Sequence, residues 1–342
     1  MSVSQPRDSV PAGPDVAVII VNYGTADLAL AAVDSVLERD HGGLRVELHL
    51  VDNASPGDDA VRLARALETP ARADHVIFYP ETVNHGFGRG NNVVLRTLAA
   101  RSQPPRLVFL LNPDARLDNE AIAILAGFLD SHPAAVCAGA RICSPEGIPA
   151  TAAFRFPSLV SEFSDTLAFG PVARLLASRT VPMAPDLETT RVDWVSGAAV
   201  MFRCDSLVAA GGFDPAFFLY FEEVELMRRL TAAGGEIWHV SEARVLHAEG
   251  VATGVRSGTG ARRRRPDYWY ESWAHYFRTG HGRAGGLAAA GLKMSAGALN
   301  HLIALLRRRE PSVPAGFLRD FPRVALPVLL RRDGADRQSG IE

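Results

Sequence analysis

Cysteine is scarce: the 342 residues hold only Cys137, Cys143 and Cys204, with no CxxC spacing among them. That excludes a zinc ribbon or a disulfide-stapled secreted scaffold and suits a reducing compartment. A long apolar run is missing near the start. The first, Val16–Val21, is short and follows the acidic Asp15, so no secretory signal is expected and a cytoplasmic location is. The stretch from Leu287 to Leu306 is interrupted by Lys293, Asn300 and His301, which argues against a membrane span. Net charge is only −2, with 22% charged and 47% hydrophobic residues, far from the signatures of disorder or collagen.

Two nucleotide fingerprints are absent as well. A GxGxxG should open the first helix, but the first strand runs into Asn22, Tyr23, Gly24 and Thr25; the Gly-rich segment Gly86–Asn91 ends in Asn and no Lys-Ser/Thr follows it. Dinucleotide-binding and P-loop readings therefore fail. A sugar nucleotidyltransferase is disfavoured too, since its Arg/Lys-bearing Gly loop should follow the first strand directly.

What is present has a clear order. Residues 1–14, with three prolines, suggest a disordered leader. From Asp15, strands at 16–21, 46–51, 76–79 and 107–111 alternate with helices at 26–39, 58–67 and 91–100, a pattern that predicts an α/β fold with an open, mostly parallel sheet and helices on both faces. Further on, a helix is expected at 121–129, a strand at 194–203, a helix at 223–233 and strands at 236–239 and 244–247. Gly254–Gly260 marks a boundary before Arg262–Arg265 and a helical C-terminal region. The expected division is a folded unit over 15–258, in two parts meeting at about 118, followed by a region over 259–342. That last stretch is basic: residues 261–342 carry 15 Lys and Arg against 7 Asp and Glu, a surplus of eight that leaves the first 260 residues at −10. An anionic partner at one end is expected. The arginine run alone marks a solvated loop rather than a nucleic-acid surface.

Ligands of open parallel sheets bind beyond the carboxyl ends of the strands. Three strands here end in polar triplets, at Asn22, at Asp52-Asn53 and at Asn112-Pro113-Asp114, so these groups should converge on one edge. Asp52 can accept from a base N–H, the Gly-rich loop permits close backbone approach, and Asp114 with His247 suits Mg²⁺ or Mn²⁺ bridging two phosphates, because such cations keep waters and take few protein ligands. Taken singly, Asp114 is equally a turn residue after Pro113 and His247 a satisfied strand-end histidine. Glu222, Glu223 and Glu225 stand between an aromatic run, Phe217–Phe221, and a helix; apolar surroundings should raise a carboxyl pKa toward what a general base needs. Acids at a helix start also simply suit the macrodipole.

Together and in this order, the segments resemble the family 2 inverting glycosyltransferases, in their rhamnosyltransferase-like branch. The resemblance rests on Val18–Tyr23, Val51–Ser55, Asn84–Asn92, Leu111–Asp114, Val195–Ala198, Gly212–Phe218, Phe221–Leu226 and His247–Gly250, and it extends through Tyr268–Phe277. It implies a GT-A fold and direct displacement at the anomeric carbon of a nucleotide-diphospho-sugar, with dTDP-L-rhamnose the favoured donor. By resemblance, Val21, Asn22, Tyr23, Asp52, Asn53, Asn84, Gly86, Phe87, Gly90, Asn91, Asn112 and Asp114 bind the nucleotide-sugar. Trp194, Ser196, Gly197 and Phe221 face the acceptor, and Asp114 and His247 hold the metal. Glu223 matches the base position, with Glu222 or Glu225 orienting the acceptor or pairing with arginine. Two departures stand out: the acidic motif is Glu-Glu-Val-Glu where Glu-Asp-x-Asp is usual, and the first Asp of the DxD motif is Asn112. A catalytically inactive sugar-nucleotide-binding protein on the same scaffold is the chief rival.

The C-terminal apolar series Leu287, Met294, Leu299, Leu302, Ile303, Leu305 and Leu306 is followed by Arg307–Arg309. That composition suits a helix lying on an anionic membrane surface, where a lipid-linked acceptor would be met, or a helix packed on the body with a solvated end. Deletion from Gly285 onward is expected to leave the fold intact.

Overall fold

A computed structural model of the chain describes residues 13–248 and 263–331. The leader up to residue 12, Gly250, the 254–260 boundary and Arg262 lie outside the described residues. The elements are β1 (Val16–Asn22), α1 (Ala26–Leu37), β2 (Val46–Asn53), α2 (Asp59–Leu67), β3 (Val76–Glu81), α3 (Phe87–Ala99), β4 (Leu107–Leu111), β5 (Ala115–Leu117), α4 (Ala121–Ser131), β6 (Ala135–Cys143), β7 (Ala153–Phe154), α5 (Leu159–Leu167), α6 (Gly170–Leu175), β8 (Thr190–Val192), β9 (Trp194–Val195), β10 (Ala199–Arg203), α7 (Cys204–Ala209), α8 (Glu222–Ala232), β11 (Glu236–His247), α9 (Asp267–Leu306) and α10 (Phe317–Leu330).

The main sheet runs β3-β2-β1-β4-β10-β6-β11-β5, with β8 beside β11. β1 to β4 are parallel, and every residue of β1 is buried, as a central strand covered by helices on both faces requires. Beyond β4 the sheet is mixed, and this places the site. β1, β2 and β4 deliver their carboxyl ends to one edge; antiparallel β10, with Ala199 opposite Leu111, brings Ser196–Ala198 to the same edge. β11 does likewise with His247 by pairing it with Ala115 of β5.

Several expectations need correction. The segment taken as a Gly-rich loop is mostly helix, because α3 begins at Phe87 rather than Asn91. The strand expected over 194–203 breaks at 196–198, and the two expected at 236–239 and 244–247 are one strand with a register shift between Val240 and Arg244. β6, rich in Ala and Gly, carried too little β signal to be foreseen.

At Gly282 (φ +68°) α9 bends into two arms. It is the one helix among the described residues long and apolar enough to cross a membrane. It nevertheless buries Ala289, Ala290, Lys293, Ala296 and Asn300, and it packs on α5 and α10. Lys293, the only lysine of the chain, meets Glu162 and the Thr166 hydroxyl of α5, while Trp273 Nε1 donates to Glu162 at 2.9 Å. Tyr270, Trp273, Tyr276, Phe317 and Phe321 share one core with Phe217 and Val224 beside the acidic segment. Removing residues from Gly285 onward would open that core, so the expected tolerance of the deletion does not hold. The apolar series divides: Leu287 and Met294 pack inward, whereas Leu299, Leu302, Leu305 and Leu306 are exposed.

Candidate active site

The strand ends are tied to one another. Asn22 is fully buried; its Nδ2 donates to Asp52 Oδ1 at 2.9 Å and to Ser55 Oγ at 3.1 Å, and its Oδ1 accepts from the Thr25 backbone N–H and hydroxyl. Asp52, equally buried, also accepts from Ser55 Oγ at 2.6 Å and from the Ser55 N–H. Val21 backs the site and Tyr23 stands half-exposed at its rim. Asn53 pins the following loop: its Oδ1 accepts from the His85 N–H, and its Nδ2 donates to Asn84 Oδ1 and the Gly86 carbonyl. Gly86 has φ +75°, and a Cβ there would lie 1.8 Å from the Phe218 carbonyl oxygen. Only glycine lets this loop touch the segment that leads to the glutamates. Gly90 packs on Val21. Asn91 donates to the Phe87 carbonyl while its buried Oδ1 has no partner, and Asn92 bonds both backbone groups of Phe213.

Asp114 and His247, 133 residues apart, meet at 3.0 Å between Oδ1 and Nε2, with Asn112 Nδ2 3.4 Å from the same nitrogen. A hard carboxylate oxygen beside an imidazole nitrogen fits a divalent cation that keeps most of its water. No cluster of three or more His, Cys, Asp or Glu ligands occurs among the described residues.

The glutamates separate by partner. Glu225 accepts from Arg229 Nε at 2.8 Å with both oxygens, and Arg229 holds the Ala210 and Gly212 carbonyls, so Glu225 braces the turn ahead of Phe213. Of Glu222 and Glu225, it is Glu225 that pairs with arginine among the described residues. Glu222 and Glu223 each keep an Oε2 with no hydrogen-bond partner. Burial pushes the Glu222 carboxyl well above the usual carboxylate range, helped by the adjacent Glu223, and burial raises Glu223 as well. Glu223 Oε1 lies 3.8 Å from where a Cβ on Gly197 would stand, beside the Phe87 ring. The acidic helix start thus reaches the donor loop across Gly197.

Tyr220 and Phe221 both adopt positive φ, +70° and +68°, a conformation that costs non-glycine residues about 1–2 kcal/mol each. This turn, together with Tyr268 stacked on Tyr220, was not singled out from sequence; the aromatic run before three acids was the available signal. Ser196 Oγ accepts from the Ala198 N–H, closing the turn around Gly197. Trp194 stacks on Phe154 at 4.0 Å and its Nε1 donates to the Arg155 carbonyl.

Residues 17–168 match the family described as Glycosyl transferase family 2. Over 191 residues the chain is 29% identical to the N-acetylglucosaminyl-diphospho-decaprenol L-rhamnosyltransferase of Mycobacterium tuberculosis, covering 54% of this chain and 62% of that one. Rhamnosyltransferase WbbL of Escherichia coli is 24% identical over 169 residues, covering 48% and 61%. The chain thus spans about six-tenths of the length of these curated relatives. Among solved structures, mannosyltransferase PcManGT from Pyrobaculum calidifontis, in complex with GDP-Man and Mn²⁺, aligns at TM-score 0.52 and 17% identity over 95% of this chain and 91% of that one. GalNAc-T7 with UDP, GalNAc and Mn²⁺ aligns at 0.51 and 14% identity over 68% and 44%. These likenesses show the GT-A fold; residues 17–168 carry the match to glycosyl transferase family 2, and rhamnosyltransferases are among the curated proteins this chain is similar to.

Proposed function

We propose that the protein is an inverting glycosyltransferase that moves a sugar from a nucleotide diphosphate to a hydroxyl of its acceptor. The observation that carries this is the pair of adjacent carboxylates whose Oε2 atoms are buried without a partner, Glu222 and Glu223, with Glu223 set beside Gly197 and the Phe87 ring of the donor loop. Glu223 would take the acceptor proton at a carboxylate oxygen as the hydroxyl attacks, because a raised pKa makes it a competent base near neutrality and direct displacement needs only one base. Glu222, better buried, would keep its own proton longer and hold the acceptor by a hydrogen bond. Asn22, Asp52 and Asn53 would fix the nucleoside, with Asn84, Gly86, Gly90 and Asn91 shaping the wall beside it, while Asn112 and Asp114 face the diphosphate. Asp114 and His247 would hold Mg²⁺ or Mn²⁺, whose charge offsets that of the departing nucleotide diphosphate.

The rhamnosyltransferase relatives support dTDP-L-rhamnose as donor, and the acceptor named for the mycobacterial relative, a diphospho-decaprenol, supports a lipid-linked acceptor. The exposed leucines 299, 302, 305 and 306, followed by the exposed Arg307–Arg309, support a peripheral position on an anionic membrane, at its cytoplasmic face. The test is release of nucleotide diphosphate from a panel of nucleotide-sugars with and without Mn²⁺. Metal-dependent release from dTDP-L-rhamnose supports the reading. Binding of the sugar-nucleotide without release under any acceptor or metal condition would favour the inactive binding protein.

A further inference from the structure

A second concave surface lies at the start of α9, away from the donor loop. Arg264, Arg265, Pro266, Asp267 and Arg323 line a cleft of about 360 Å³. Its acids are already spoken for: Asp320 accepts from Arg264 at 2.6 and 2.9 Å and from Arg319 at 3.0 Å, and Asp267 accepts from Arg323 at 2.7 and 2.9 Å. Three arginines thus share two carboxylates. Arg265 pairs with no carboxylate among the described residues; its guanidinium lies 4.5 Å over the Trp269 ring. A guanidinium held flat by an aromatic ring keeps its N–H fork free for a planar or tetrahedral oxyanion.

Two features say which anion. Trp269 meets the Phe221 ring edge-on at 5.9 Å, and Phe221 immediately precedes Glu222, so two ring contacts join the cation to the residue that leads into the acidic turn. On α10, Leu326 and Leu330 follow Arg323 at helical spacing and are exposed. A cationic cleft joined through packed rings to the acidic turn on one side, with exposed leucines on the other, matches a sugar diphosphate that carries an apolar tail.

We propose that Arg265, flanked by Arg264 and Arg323, binds the diphosphate of a phosphate-linked acceptor, whose apolar chain leaves over Leu326 and Leu330. This rests on the glycosyltransferase reading, since it presumes an acceptor at Glu223.

The test uses the full chain in EDTA with farnesyl diphosphate, inorganic diphosphate, farnesol and phosphatidylglycerol vesicles as probes, each titrated by calorimetry. Farnesyl diphosphate should bind more tightly than inorganic diphosphate, and farnesol should not bind. Arg265→Ala should weaken farnesyl diphosphate about tenfold or more, the worth of a charged hydrogen bond. Arg265→Lys should recover part of the loss by restoring charge without the fork. Asp114→Ala should leave this binding unchanged, and unaltered melting temperatures exclude a folding defect as the cause. Equal binding by Arg265→Ala and wild type overturns the inference. So does loss in Asp114→Ala, which would put the ligand in the donor site, or binding to vesicles without binding to farnesyl diphosphate, which would make the cleft a headgroup patch. Nucleotide release from the donor, measured in parallel, separates the two readings: its absence beside Arg265-dependent diphosphate binding defeats the glycosyltransferase reading, and its presence beside unchanged binding in Arg265→Ala defeats only this one.

Discussion

Glu222, Glu223 and Glu225 occupy a single helical turn yet hold three different positions. The two unpartnered carboxyls carry an energetic consequence with a definite sign. Their folded-state pKa values lie above the unfolded ones, so their contribution to stability is fullest below about pH 4.3 and is lost as pH rises through the folded values. Above that range ionisation favours the unfolded chain, because burial disfavours giving up the proton from the folded Glu222 carboxyl. Glu222→Gln is therefore expected to raise stability at pH 8, with the difference shrinking toward pH 4; thermal melts across that range check it. Glu223→Gln should keep donor binding and lower transfer by about 10² to 10⁴. Glu225→Gln, by contrast, should act on stability through Arg229 and less on turnover. Near-normal turnover in Glu223→Gln beside a collapse in Glu222→Gln would move the base to Glu222. On the donor side, Asp114→Ala should abolish the metal-dependent part of nucleotide-sugar affinity; equal affinity with and without Mn²⁺ in wild type and variant would count against the assignment. Glu223 and Asp114 were legible as candidates because each sits in a dense local motif. Arginine pairing was expected of Glu222 or Glu225 alike; which of them takes it, and that Trp194 stacks on Phe154, was not legible, since side-chain partners depend on packing that local pattern does not encode.

Among the elements, strands that end in polar triplets were readable because continuous β-branched runs have few alternatives to a two-sided buried strand. α3 was misjudged at its start because glycine lowers helix propensity, yet Gly88 and Gly90 sit in its first turns where Phe213 and Val21 leave no room for a Cβ. The C-terminal helices hid a different feature: the only lysine, Lys293, is buried on Glu162 against Trp273 and locks α5 onto α9. Lys293→Ala should cost about 3 kcal/mol because it strands a buried carboxylate, whereas Lys293→Met with Glu162→Leu should recover most of it; urea unfolding of both variants tests this. The exposed end of the same helix makes a separate prediction. Leu302→Glu with Leu305→Glu should leave the melting temperature nearly unchanged and weaken binding to anionic vesicles. Undiminished vesicle binding would remove the membrane reading without touching the catalytic one.

For the molecule as a whole, the α/β class and the shared edge of the strand ends were legible in the sequence because both follow from strand alternation. The route by which β10 and β11 reach that edge was not, since antiparallel insertion depends on pairings such as Ala199 with Leu111 and His247 with Ala115. The C-terminal helices seemed a detachable basic tail, yet they complete the core under Phe217 and Val224 and so support the turn that presents the glutamates. Activity is thus expected to need the helices as well as the family domain. The central claim is that donor and base belong to one reaction, in which Glu223 removes the acceptor proton while the sugar leaves its nucleotide. The most direct measurement is nucleotide diphosphate release from saturating dTDP-L-rhamnose, with Mn²⁺ and a lipid-linked N-acetylglucosaminyl diphosphate acceptor, by wild type and by Glu223→Gln of equal donor affinity. The account predicts acceptor-stimulated release by wild type and a fall of about 10² or more in the variant. Release by Glu223→Gln at the wild-type rate would contradict it.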